Sequence, residues 1–591
     1  MDKKFYYFLT SCFDSSSLDL KKIIYSGYWC FDNYYKYQNK KKKINNFLIN
    51  SIWSQEKSVK SDYLYIKILL KKYSTQISKN LNKVHKINES QKFWNILILP
   101  WLVYYVSSNL YRWRIVEKAL KISKGKLIFI DFNKNSDLEN PVNTTIDFCN
   151  FAENSEAFNH KLFKKIIFFK KKEFNIKTLN NKKYLNHYHS KEKINFFSNI
   201  KFFIFKLLDK VLINFSKKNS FFLEKKIFSF LDYIILSLKL KQFPLFLFFN
   251  FNYKSENLFL KNTLVNKNLR NNFVFKNSKN VFSFESFLNA NLGLDIPTCY
   301  IERFQYFKDL SKNINITPKV ILSSYNWIHN EKFKFWTAYL IKTNNAKLIY
   351  AEHGGGEQNK YNGAFRISNI LSHKRITWTK PQFHKDVQLP ALSLSKRKNK
   401  KNKIYLSYVE NPQTQYSNKI YSDTNSFQNI ENILVLKKKL NPTIYSNLRY
   451  LSSGSNVKVE REVIKEIIGD KLVEKPRSLK KYLPMTKITI CNYTETAFTE
   501  SVLNGPTLLV KNKFLSLTKI DQKNLKKLFK LKILFLNMED AINHINLIWY
   551  KPNIWWNKPD VKNTIKTIIN NFVKVDPNYL NTWFKFLNNQ K

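Results

Sequence analysis

Apolar residues recur along the chain in two rhythms. Short runs of four or five, bounded by polar residues, predict strands at Phe5–Leu9, Lys319–Ser323, Lys347–Ala351, Ile404–Tyr408, Asn432–Leu436, Lys487–Cys491 and Thr507–Val510. Longer stretches carry apolar residues at helical spacing. Asp62–Leu81 places Leu64, Ile66, Ile68, Leu69, Leu70 and Tyr73 on this rhythm. Gln91–Leu120 is a second helical tract, with Trp94, Trp101, Tyr104, Tyr105 and Trp113, and Pro100 is expected to kink or break it. Its aromatic stripe reads as a helix–helix core, with an acceptor-binding wall as the sharper alternative. Glu331–Thr343 sets Phe333, Trp336 and Leu340 on one side, and a further helix starts near Thr496.

From about residue 315 strands and helices alternate without hairpin turns, the signature of parallel sheets. The fold class expected is therefore α/β: two Rossmann-like domains with parallel sheets facing a cleft, plus a largely helical insertion in the N-terminal half. The first domain is placed at residues 1–395, with the insertion at about 155–290. The Lys-rich stretch Lys396–Lys403 reads as a solvated linker. The second domain is placed at 404–560, and 561–591 as a C-terminal helix. Ligands in such sheets sit beyond the carboxyl ends of the strands.

The formal net charge is +57. A polyanion partner is one reading of that excess. The excess is mostly Lys and comes with abundant Asn, Ile, Phe and Tyr, as an AT-rich genome produces. A nucleic-acid groove draws more on Arg, whose planar fork reads phosphates and base edges. No specific nucleic-acid partner is expected, while a basic face still gains from an anionic membrane surface. Residues 155–285, rich in Lys and Phe, suit such a peripheral contact. The five cysteines are scattered with no Cys-x-x-Cys pair, which fits a reducing, cytoplasmic compartment and points to no metal site. The N-terminus lacks a signal-peptide core. The most apolar stretch, Phe228–Phe251, is broken by Asp232, Lys239, Lys241 and Pro244, so no transmembrane helix is expected.

Two strand ends carry the candidate chemistry. Glu352-His353-Gly354-Gly355-Gly356 follows the strand Lys347–Ala351, in a chain with only 10 glycines. Consecutive glycines let the backbone approach a ligand and turn N–H groups toward an anion. His353 can donate to a phosphate or act as acid or base near neutral pH. The same tetrad builds the oxyanion hole of esterases, but the Gly-x-Ser-x-Gly elbow that reading needs is missing. The second site is Cys491-Asn492-Tyr493-Thr494-Glu495-Thr496, leading into a helix that carries Glu500. Thr494 or Thr496 can cap that helix, whose free N–H groups form an anion site, with Glu500 placed to bind ribose hydroxyls. Asp14, after the first strand, is a candidate general base, and Arg449 a source of phosphate-binding charge. There is no Asp-x-Asp pair in a strand-end loop and no P-loop, which disfavours metal-dependent transfer and NTPase chemistry.

The ordered series Tyr28-Trp29-Cys30, Leu81–His85, Phe93–Leu102, Phe335–Ala338, Glu352–Gly356, Cys491–Glu500, Trp549 and Trp555-Trp556 resembles leptospiral-type transferases of surface-carbohydrate clusters. Its late motifs are more distantly similar to those of capsule and teichoic-acid transferases of the GT-B fold. The resemblance implies an inverting, metal-independent glycosyltransferase with no cofactor beyond its nucleotide-sugar donor. It further implies a donor of the CMP- or CDP-linked class, such as a CMP-activated nonulosonate. The acceptor would be a carbohydrate, lipid-linked or protein precursor at the inner face of the plasma membrane. His353, Gly354–Gly356 and the Asn492–Thr496 turn would hold the donor phosphates, Glu500 the ribose, and Glu352 or Asp14 would join the catalysis. The family commonly carries Gln where this chain has Glu352. That change sets up the alternative: a catalytically degenerate binding or scaffold protein of the same pathway.

Overall fold

A computed structural model describes residues 5–591 apart from 13–17, 32–33, 35–37, 39–46, 50–51, 133–139, 182–184, 186–203, 205–206, 209–210, 217–218, 246–262, 277–279, 356–360, 362–365, 397–401, 411–413, 419, 421–426, 453–457, 476–478 and 512–521. Among the described residues the strands form three sheets, all parallel. The first joins β1 (Tyr6–Leu9), β2 (Ile23–Tyr25), β3 (Lys126–Phe132) and β4 (Asn175–Asn181) in the order β2-β1-β3-β4. The second runs in sequence order through β5 (Phe221–Leu223), β6 (Val320–Ser323), β7 (Lys347–Ala351), β8 (Lys374–Thr377) and β9 (Asp386–Gln388). The third comprises β10 (Tyr405–Val409), β11 (Leu448–Leu451), β12 (Thr486–Cys491), β13 (Thr507–Val510) and β14 (Leu534–Phe535). Its order is β11-β10-β12-β13-β14, so the winding reverses between β10 and β12. A doubly wound sheet opens its ligand crevice at such a reversal, beyond the carboxyl ends of those two strands.

The second and third sheets are the two Rossmann-like halves expected from the sequence. The first sheet adds a third layer that the apolar pattern only hinted at. The stretch 155–290 is helical in part, and it also supplies β4 to the first sheet and β5 to the second.

Long helices bind the sheets together. α1 (Glu56–His85) packs along α2 (Gln91–Ile122). α2 is buried along nearly its whole length and on every side, as a helix apolar all round must be. It runs unbroken through Pro100, against expectation. Packing on all sides holds the turn, and the neighbouring Leu97 carbonyl accepts from Lys334 Nζ at 3.3 Å. α3 (Thr145–Asn154), α4 (Glu156–Lys170), α5 (Phe230–Lys239) and α6 (Glu331–Asn344) follow in chain order. α7 (Gln428–Lys439) replaces the strand expected at Asn432–Leu436. Ile430, Ile433 and Leu436 are buried at helical spacing while Leu434 faces outward, so the short apolar run is one side of a helix. α8 is Thr496–Asn504. The C-terminal helix expected at 561–591 is two helices. α9 (Pro559–Phe572) packs on α8, and α10 (Tyr579–Asn588) crosses back to the second sheet. There Trp583 and Leu587 join the core of Phe221, Val320 and Ile349, and Trp583 Nε1 donates to the Pro390 carbonyl at 2.9 Å.

A buried polar knot fixes α6 against α2 and α3. Lys334 and Glu331 pair at 2.9 Å, both shut away from water. Lys334 Nζ also donates to the hydroxyls of Tyr300 (2.6 Å) and Thr145 (2.9 Å). Glu331 accepts from the Tyr300 hydroxyl at 2.7 Å and the Thr145 backbone N–H at 3.0 Å. Removing one partner strands the other charge in a low dielectric. Lys334→Met should therefore lower unfolding free energy by about 3–5 kcal/mol, and adding Glu331→Gln should restore a large part of it. Urea denaturation measures both. A loss of under about 1 kcal/mol in the single variant would show that the knot does not carry the packing.

Candidate active site

At the carboxyl edge of the second sheet, Glu224 follows β5 with its carboxylate buried. One oxygen accepts from the Ser323 hydroxyl (2.8 Å) and from the backbone N–H groups of Ser324 (2.9 Å), Tyr325 (3.1 Å) and Asn326 (3.2 Å). This collar fixes the turn after β6 and with it the Tyr325 ring. Tyr325 stands edge-on to the His353 imidazole, with ring centres 5.6 Å apart, and Lys226 Nζ lies 5.5 Å from the Tyr325 ring centre. Glu224, Lys226 and Tyr325 were invisible as site residues in the sequence, because they come from two strand ends about 100 positions apart.

His353 leaves β7 and shows one side to solvent. Protein crowds the other side, and that desolvation pushes its pKa below the ordinary histidine value. Glu224 opposes the shift and Lys226 adds to it. Gly354 and Gly355 follow at φ +83° and +70°, a left-handed turn that suits glycine. A Cβ at Gly354 would stand 3.2 Å from the Thr496 hydroxyl, so the turn lies hard against α8. Gly356 and Asp14 are outside the described residues. Glu352 is buried, and its Oε2 accepts the Trp378 backbone N–H at 2.5 Å, tying the ends of β7 and β8.

At the third sheet, β12 delivers Asn492 to Glu495 and then α8. Asn492 is turned inward. Its amide donates to Asn429 Oδ1 (2.6 Å) and to the Tyr408 hydroxyl (3.2 Å), fastening β12 to β10 and α7. The N-cap of α8 is Glu495, and its side chain does not cap the helix. Thr494 is half-buried in the turn. Thr496, the first helical residue, sends its hydroxyl across to the Gly354 carbonyl. The two turns singled out in the sequence thus meet in space. Glu500 is buried one turn along α8, and Glu410 is buried at the end of β10, at the sheet's reversal point. The phenol of Tyr493 is held well above its usual pKa, first by burial and then by Cys491 and the carboxylates of Glu495, Glu410 and Glu500. Position after a strand was the signal that would have found Glu410.

Arg449 lies elsewhere. It sits mid-strand in β11, its guanidinium 4.3 Å from the ring centre of Tyr405 and 3.7 Å from Glu474. Tyr405 opens β10, so Arg449 leans toward the amino end of the sheet, away from the crevice edge. The helices α2 and α3 brace the chain beyond Glu410. Tyr416 donates its backbone N–H to the Glu153 carbonyl (3.1 Å), Asn418 Nδ2 donates to Glu153 Oε1 (2.8 Å), and Arg112 Nη1 donates to the Ser417 carbonyl (3.1 Å).

The site has a definite titration signature. Since burial depresses the folded-state pKa of His353, the folded protein binds fewer protons than the unfolded chain. The linked stability is intact above the unfolded pKa and erodes as pH falls below it. Imidazole NMR should place the His353 midpoint below 6.5, with the ring neutral at pH 7. A midpoint at or above that value would contradict the crowded environment.

Comparisons with known proteins bear on the whole chain. No curated protein matches it. Solved structures that resemble it include Staphylococcus aureus MnaA with UDP, at 10% identity over 54% of this chain and 83% of that one, TM-score 0.30. Another is a Listeria monocytogenes protein described as a UDP-N-acetylglucosamine 2-epimerase, at 10% identity over 51% and 85%, TM-score 0.31. The family model described as "LIC12162 family transferase" matches residues 7–587. With nearly every residue from β1 to α10 inside that match, the chain belongs to the LIC12162 family of transferases.

Proposed function

We propose that the transferase moves a sugar from a nucleotide-activated donor onto a hydroxyl acceptor. The observation that carries this reading is the contact of the Gly354 carbonyl with the Thr496 hydroxyl. It brings a left-handed glycine turn and the amino end of α8 into one place. Both features suit an anion: the turn by backbone N–H groups, the helix by its unpaired first-turn N–H groups and its dipole. A donor phosphate spanning them would face His353 on one side and the β10–β12 crevice on the other. Glu500 and Glu410 would accept hydrogen bonds from the donor's ribose hydroxyls.

Transfer on this scheme inverts the sugar. The acceptor oxygen forms its bond to the anomeric carbon while the bond from that carbon to the phosphate oxygen breaks. The acceptor's proton passes to a nearby base, with His353 neutral and available as that base. The departing phosphate charge is stabilised by fixed N–H dipoles, which needs no metal. A CMP-linked nonulosonate donor and a carbohydrate, lipid-linked or protein acceptor follow from the family resemblance. One oxygen of the Glu352 carboxylate accepts from the Trp378 backbone, a structural role that supports the transferase reading over the scaffold alternative.

His353→Ala should cut turnover about 100-fold or more with its thermal midpoint little changed. CMP, CDP, UDP and GDP, tested in parallel, should include at least one that raises the melting temperature, as a ligand of the native state alone must. Normal turnover in the variant would remove His353 from the chemistry, and no stabilisation by any nucleotide would contradict the donor assignment.

A further inference from the structure

The helix α5 is apolar on two sides. Its inner side packs Tyr233 and Leu236 into the core beside the buried Asp232 and Ser237, and its outward side carries Phe230, Leu231, Ile235 and Leu238. Leu231 is 67% exposed and Leu238 65%. The orientation is locked from within: Asp232 accepts from the Tyr579 hydroxyl at 3.0 Å and pairs with Lys396 at 2.9 Å. Lys239 Nζ donates to Asn581 Oδ1 at 2.9 Å. These bonds hold α5 on α10, so rotating the leucines inward would break them. The apolar face continues past the helix to Phe243, whose ring lies 5.4 Å from that of Phe215; both are exposed.

The charge around this face has one sign. Lys225, Lys226, Lys239 and Lys241 flank it. The only acids between residues 219 and 245, Glu224 and Asp232, are both buried. Lys225 Nζ lies 5.4 Å from the Phe230 ring centre, an ammonium carried at the level of the apolar surface. A second copy of the chain would bring these lysines against their own kind, in a protein of net charge +57. An anionic bilayer matches both components: acyl chains for the leucines and phenylalanines, headgroups for the lysines. Among the described residues no helix is long and apolar enough to cross a membrane, so the contact would lie in the plane of the surface.

We infer that α5, with Phe215 and Phe243, docks this protein onto an anionic lipid bilayer. The docking face adjoins the candidate site. Lys226, at the start of the segment leading into α5, lies over Tyr325, and Tyr325 packs on His353. Docking would set the His353 edge of the second sheet at the headgroup layer. On the transferase reading, on which this one consequence rests, it favours a lipid-linked acceptor.

The test uses the full chain without donor or acceptor, so its result is independent of the transfer chemistry. Flotation with vesicles of phosphatidylcholine, alone or mixed with phosphatidylglycerol, should show binding to the mixed vesicles that weakens as salt rises. Leu231→Ser with Leu238→Ser should reduce partitioning about 10-fold or more, and Lys225→Gln with Lys241→Gln several-fold. In the unaltered protein, anionic vesicles should slow amide exchange within residues 229–243, a readout that needs no variant. Absence of flotation, binding unchanged in both variants, or exchange unaltered at 229–243 would each overturn the proposal. So would a concentration-dependent dimer abolished by the leucine changes, which would assign the face to a second copy.

Discussion

Two parallel sheets present their carboxyl edges to each other, and they touch where the Thr496 hydroxyl donates to the Gly354 carbonyl. That bond can form only because Gly354 and Gly355 adopt left-handed backbone angles and because no side chain intrudes at Gly354. The rest of the candidate site is arranged around this constraint. His353 precedes the turn, and Glu500 lies one helical turn beyond Thr496. Glu410 marks the reversal of strand order beside β12. An anion held between the turns would meet dipoles fixed before it arrives.

The remainder of the molecule keeps those edges in register. The Glu331–Lys334 knot anchors the second sheet's covering helix to α2 and α3. The same helical layer reaches the third sheet through Arg112 and Glu153, which hold the segment beyond β10. From the other end, α9 and α10 lace the third sheet back to the second. Lys574 donates its backbone N–H to the Trp378 carbonyl and its carbonyl accepts from the Ala391 N–H, and the Asn571 carbonyl accepts from the Lys380 N–H. Trp378 is also the partner of the Glu352 carboxylate, so Glu352 belongs to this lacing.

Much of this was legible in the sequence, for physical reasons. β6, β7 and β13 are buried on both faces and read as short apolar runs, and β12 is recognised by its β-branched Ile488, Thr489 and Ile490. The glycine turn was legible because glycine is rare here and follows a strand. The run Asn432–Leu436 misled, since a short apolar segment does not separate strand from buried helix by periodicity. β4 was hidden by its edge position and its polar sequence, Asn175–Asn181. Pro100 misled because tertiary packing outweighed its local preference. Within the site, Asn492 and Glu352 were read as ligand-facing from position alone, and the structure turns both inward. Glu224, Tyr325 and Glu410 carry no motif, and only the topology brings them to the crevice.

The central claim is that the two turns form a single anion site. Hydrogen exchange read by mass spectrometry, with and without the nucleotide that most raises the melting temperature, tests it directly. The account predicts slowed exchange in the peptides covering both Glu352–Gly355 and Tyr493–Glu500, saturating at the same nucleotide concentration. Protection of one peptide without the other, or saturation at separate concentrations, would contradict it.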